Sequence, residues 1–282
     1  MQIIVLFLIG SLGGLLAGLL GVGGGLIFIP VIEHYLKPYH LSSTENVKYI
    51  LANSIAIVFA SGLSGIYRQI KMGSWQWRSS LLIGIPGAIA SFFATYAIKH
   101  GNWYYKSDFQ WVFLGFLLIS IANMIWGKSN NPSPLEPTSA IKENVWKTIT
   151  IGIFAGITVS LSGLGGGIVM VPLFRILLNK PMKDATALSL SIVPMLAIAS
   201  LANYSFTNPL EIIGSNLNPY NSPWQLGYLY FPIILPMIIA TFITTSFAQK
   251  NAKYVPVVWL RIIFALLSST IFIKTLIEIY KS

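Results

Sequence analysis

Apolar residues gather into eight long stretches, at about 3–36, 49–67, 79–98, 109–127, 145–178, 184–204, 225–247 and 257–280. A membrane-spanning helix needs about 20 such residues, and six of the stretches predict one helix each. The other two, 3–36 and 145–178, run to 34 residues. A straight helix of that length would measure about 51 Å, well beyond the roughly 30 Å hydrocarbon core. Each of the two holds a glycine cluster: Gly21-Val22-Gly23-Gly24-Gly25 in the first, Gly163-Leu164-Gly165-Gly166-Gly167 in the second. In lipid, non-helical backbone persists only where protein buries it or where it lines a cavity. The clusters therefore predict two purposeful breaks in helical chain.

A polar segment, 128–144, contains three prolines and divides the chain into an N-terminal repeat, 1–127, and a C-terminal repeat, 145–282. At an offset of 142, residues 9–36 match 151–178 at ten positions, among them Gly10/Gly152, Gly14/Gly156, the four cluster glycines and Pro30/Pro172. Lys48, Ala52 and Ser54 then match Lys183, Ala187 and Ser189; Trp75-Gln76 matches Trp224-Gln225; Trp111 matches Trp259. Elements recurring in one order, with Gly, Pro and Trp among the matches, exceed what apolar sequence gives by accident.

Composition sharpens the class. Apolar residues make up 55% of the 282 and charged residues only 9%, with a mean hydropathy of +0.71, against about 25% charged in soluble proteins. The net charge of +10 is scattered between apolar segments, so it reads as topology-setting loop charge rather than a nucleic-acid surface. The absence of cysteine excludes disulfide and thiol chemistry. His34, His40 and His100 make no metal-ligand pattern, and neither a cofactor nor a metal is expected. The N-terminus lacks the basic start of a signal peptide and reads as the first membrane element.

If each long stretch enters, breaks and returns to one side, Arg68, Lys71, Arg78, Lys128, Lys142, Lys147, Lys180, Lys183, Lys250 and Lys253 share a side. Lys37, Lys48, Lys99, Lys106 and Lys281 take the other, a bias of ten to five. The positive-inside rule then puts linker 128–144 in the cytoplasm and both termini outside. The expected fold is an all-α integral membrane protein of two inverted repeats, each a glycine-broken re-entrant helical hairpin plus three transmembrane helices. A single broken span remains the alternative for each long stretch.

Candidate chemistry follows from the breaks. A helix restarting after each cluster presents unpaired N–H groups and the positive end of its dipole, and glycine lets backbone approach a ligand closely. Two such ends at mid-membrane make an anion site with few charged side chains. The expected lining is Gly21, Gly23, Gly24, Gly25, Gly163, Gly165, Gly166 and Gly167, supplemented by Asn53, Ser54, Ser162, Ser189 and Ser191, whose amides and hydroxyls donate without a charge. The competing explanation is packing: small residues let membrane helices touch, and membrane serines bond to neighbouring backbone. Gly10/Gly14 and Gly152/Gly156 read as packing. Glu33 and Arg175 occupy matched positions and are candidates for coupling or gating, with snorkelling to the interface as the alternative. Trp75, Trp77, Trp111, Trp224 and Trp259 read as interface anchors.

GLLGVGGGLIFIPV and SLSGLGGGIVMVPL, each opening one half and each followed by a helix with Ala52-Asn53-Ser54 or Ala187-Leu188-Ser189, resemble the TauE/SafE sulfite-exporter family. The resemblance covers nearly the whole chain. It implies a transporter of small sulfur-containing anions such as sulfite or organosulfonates, with the substrate between the halves on the glycine turns. The family's Thr-Ser pair is replaced by Asn53-Ser54 and Leu188-Ser189. The expected function is secondary transport of such an oxyanion across the cytoplasmic membrane by alternating access. The alternative is an anion channel with a glycine-backbone filter. Paired intramembrane carboxylates or a nucleophile–His arrangement, which an enzyme would need, do not occur in the sequence. The expected partners are the small anion and the lipid bilayer; oligomeric state is open, a homo-oligomer included.

Overall fold

The computed structural model describes residues 2–21, 23–101, 103–126, 145–178, 180–210, 224–255 and 257–281. It is an all-α membrane protein. In the first half, α1 (Gln2–Leu20), α2 (Gly25–Leu36), α3 (Ser43–Lys71), α4 (Trp77–His100) and α5 (Lys106–Trp126) follow in order. The second half repeats the series with α6 (Val145–Ser162), α7 (Gly167–Leu177), α8 (Met182–Ser205), α9 (Phe231–Asn251) and α10 (Val257–Lys281). Six of the described helices are long and apolar enough to cross a membrane.

Both long stretches break at their glycines. Helix α2 has 12 residues and α7 has 11, about 18 Å and 16 Å at 1.5 Å per residue, too short to cross. The first break is a reversal. A Cβ on Gly13 of α1 would run into the ring of Phe28, and a Cβ on Gly24 would lie 2.7 Å from the Gly13 carbonyl oxygen. Residue 28 reaches residue 13 only if α2 folds back beside α1.

The helix partners exchange between halves. α1 packs along α9 as α6 packs along α4; α3 meets α9 as α8 meets α4; α3 meets α8, and α5 meets α10. Small residues carry the closest contacts. Threonines reinforce one of them, with Thr241 Oγ1 donating to the Gly10 carbonyl at 2.9 Å and Thr245 Oγ1 to that of Gly14 at 3.1 Å. Helix α3 is the most enclosed, 83% buried over its apolar window, which makes it the central post. Of the expected anchors, Trp75, Trp77, Trp111 and Trp224 are exposed, as interface residues should be. Linker 128–144 and the side chain of Trp259 lie outside the described residues.

One element departs from the hydropathy pattern. Residues 225–230 open the seventh apolar stretch but form a two-stranded antiparallel ribbon, β1 (Gln225–Leu226) and β2 (Leu229–Tyr230), rather than the start of α9. Gly227 turns it at φ 58° and packs against the Tyr204 carbonyl, where a side chain has no room.

Candidate functional site

Two helix starts meet in the buried centre. Gly24 is the N-cap of α2 at φ 75°, and Gly166 is the N-cap of α7 at φ 70°; neither helix start has a side-chain cap. That left-handed backbone costs an L side chain about 1–2 kcal/mol, which explains glycine at both. The carbonyl of Gly24 accepts the amides of Ile27 and Phe28, and that of Gly166 accepts those of Val169 and Met170. The first amides of each helix have no carbonyl one turn back to bond.

The two turns touch. A Cβ on Gly25 would lie 2.7 Å from the Leu164 Cα and 2.8 Å from the Gly163 oxygen. One on Gly23 would lie 3.4 Å from the Gly165 Cα, and one on Gly165 3.5 Å from the Gly23 Cα. Gly21, Gly23, Gly24, Gly25, Gly163, Gly165, Gly166 and Gly167 are all buried. Gly23, Gly25, Gly163 and Gly165 thus meet in one crossing, whose turns come from halves 142 residues apart, while Gly21 faces Thr186, and Gly24 and Gly166 cap their helices against their own halves.

The repeat-matched serines join it by exchange. Ser54 of α3 donates to the Gly163 carbonyl at 2.8 Å, and Ser189 of α8 donates to the Gly21 carbonyl at 3.0 Å. Each half's helix holds the other half's turn. Both hydroxyl hydrogens go to backbone, so in this state these serines shape the turns and face a ligand only through oxygen lone pairs. Ser162 donates to the Thr158 carbonyl at 2.7 Å and accepts the Leu164 amide at 3.2 Å, closing the second turn. Ser61 donates to the Val58 carbonyl at 2.7 Å and lies 3.4 Å from the Gly23 carbonyl; no repeat match signals it.

Asn53 and Ser191 face elsewhere. The Asn53 amide donates to the Tyr49 and Tyr228 carbonyls at 2.7 and 3.0 Å, and its oxygen accepts the Tyr230 amide at 2.8 Å. It clamps the ribbon to α3. Asn53→Ala leaves a buried amide and carbonyl unpaired, at about 1–3 kcal/mol for such a group. The expected result is a melting temperature lowered by several degrees. Ser191 donates to the Gln69 side-chain oxygen at 2.8 Å, and Gln69 donates to the Ala187 carbonyl at 2.9 Å, tying the C-terminal end of α3 to α8.

The coupling candidates sit off the crossing. Glu33 is paired with Lys106 at 2.6 Å, with 18% of its side chain exposed, and Arg175 is half-buried near the end of α7. The Glu33 carboxylate thus ties α2 to the start of α5. No group of three or more metal-ligating side chains occurs among the described residues.

The family model described as sulfite exporter TauE/SafE matches residues 6–275. A probable membrane transporter protein of Methanocaldococcus jannaschii is 27% identical over 254 residues, 89% of this chain and 87% of its own. One of Haemophilus influenzae is 25% identical over 264 residues, 94% of each chain. No solved structure matches the chain.

Proposed function

The chain belongs to the sulfite exporter TauE/SafE family and is a membrane transporter, and from that premise we propose that it moves a small sulfur-containing oxyanion, such as sulfite or an organosulfonate, by alternating access. The observation that carries this reading is the crossing of two glycine-capped helix starts, neither with a side-chain cap. Such ends offer backbone donors and a positive dipole to an anion at mid-membrane. The substrate carries the negative charge, so the site needs no buried lysine or arginine of its own.

The turns are in contact, so an anion enters only when the halves part. Parting on one side and then the other is the alternating step. The exchange of helix partners fits a two-fold relation of the halves, and the ten-to-five charge split favours an inverted one, which supplies two related states from one architecture. The cytoplasmic membrane is the proposed location.

Reconstituted protein tests the reading. Liposome flux of sulfite, thiosulfate and alkyl or aryl sulfonates is expected to saturate with concentration and to run uphill against a second gradient. Unsaturable conductance would replace alternating access with a channel. Indifference to every sulfur anion, in flux and in thermal stability, would remove the substrate class.

A further inference from the structure

Three donors converge on one buried carboxylate where α3 begins. Lys48 Nζ donates to Glu45 Oε1 at 2.9 Å. The Tyr228 hydroxyl donates to Oε2 at 3.0 Å, with Oε1 at 3.2 Å. The Leu210 amide donates to Oε2 at 3.2 Å. Glu45 is 1% exposed and Lys48 3%. The donors come from three segments: α3, the chain after α8, and the ribbon. Rings of Tyr49 and Tyr204 flank that of Tyr228, with centroids at 5.1 and 5.9 Å.

A buried cation with a phenol and a backbone amide aimed at two oxygens is the donor set of an oxyanion receptor. A carboxylate presents the same pair of oxygens as a small free oxyanion. Burial first, and then the adjacent Glu45 carboxylate, push the Tyr228 phenol well above its ordinary pKa, so it stays a donor. The other ion pairs among the described residues, Lys106–Glu33 and Lys274–Glu278, leave Lys48 to Glu45. Removing Glu45 therefore strands a buried ammonium, the costly half of a broken pair, and creates demand for a replacement anion.

We propose that Lys48, Tyr228 and the Leu210 amide form a second oxyanion site, filled by Glu45 in this state and by a small free oxyanion when Glu45 is displaced. The site lies nine residues before Ser54 on α3, about 13 Å along the helix. The ribbon covers it, and Asn53 holds that ribbon down through the Tyr228 carbonyl and the Tyr230 amide. It is placed as a waystation between one end of α3 and the glycine crossing. That role, and the identity of the natural anion, rest on the transporter reading; the binding itself does not.

Chemical rescue tests it. Purified Glu45→Ala in detergent is expected to melt several degrees below the parent in chloride. Sodium formate or sulfite at equal ionic strength should restore at least half of the loss. The double variant E45A/K48M, without the stranded cation, should gain nothing from formate. Equal melting of Glu45→Ala in formate and chloride overturns the proposal, as does rescue that survives Lys48→Met. Glu45→Ser, which opens similar space at a smaller loss, takes the same test where Glu45→Ala does not purify. Should both fail in chloride, extraction into formate decides: a monodisperse protein supports the site and continued loss overturns it. Flux is no part of this readout, so failure here leaves the transporter reading standing, and failure of transport leaves this site standing.

Discussion

Gly25→Ala is expected to cut transport by about five- to 150-fold while the protein still inserts and purifies. Gly25 is free of the positive φ seen at Gly24, so alanine meets no backbone strain and improves local helix propensity. The effect is one of space. The new methyl would lie 2.7 Å from the Leu164 Cα, 2.8 Å from the Gly163 oxygen and 3.0 Å from the Leu164 carbonyl carbon. All three are backbone, and none yields by a rotamer change. Overpacking of this kind costs about 1–3 kcal/mol, which is roughly five- to 150-fold in an equilibrium. The equilibrium affected is closure of one turn on the other. A cycle that must close and part the turns is slowed by about that factor. Flux through liposomes, corrected for reconstituted protein, measures it. Parental flux in this variant would remove the crossing from the mechanism.

Gly156→Leu is expected to lose the fold itself. A Cβ there runs into the Gly87 carbonyl oxygen and lies 2.9 Å from the Ser91 amide nitrogen. It would drive α6 away from α4 along one of the longest helix contacts in the molecule. Behind that contact lies a closed hydroxyl cluster. Ser91 meets Ser200 at 2.7 Å and Ser160 at 3.0 Å, and Thr95 meets Ser200 at 2.8 Å. Parting the helices takes Ser160 away from Ser91 and Thr95, while those two keep Ser200 of α8; the backbone clash carries the main cost. The expected outcome is aggregation on size exclusion and no cooperative melt. Gly115→Ala is the matched control: nothing lies within 4 Å of its added carbon, and it should melt at or above the parent. A monodisperse Gly156→Leu would mean that α4 and α6 tolerate separation.

The two variants divide what glycine does here, and the sequence made half of that division readable. Three near-adjacent glycines cover every face of a helix, so the clusters announced breaks before any coordinates. The spacing of Gly152 and Gly156 announced packing. Ser54 and Ser189 were legible because the repeat aligned them. Their bonding was not, since a hydroxyl at a given position shows nothing about which carbonyl it meets, and both reach into the opposite half. Asn53 reads from sequence as a donor to a ligand; in this state its amide and oxygen bond a ribbon about 175 residues away. The ribbon was hidden because its Leu and Tyr residues extend the apolar run of α9. Glu33 drew attention because it sits within an apolar stretch. Glu45 did not, because it lies just outside the stretch 49–67, where hydropathy reads loop; only tertiary packing buries it.

The exchanged serine bonds also set a schedule for biogenesis. The Gly21 carbonyl waits for Ser189, which is made 168 residues later. At roughly 5–20 residues per second, the first glycine turn stays without its partner for about ten to thirty seconds of synthesis. During that time its exposed backbone must shelter in the insertion machinery or against a chaperone rather than in lipid.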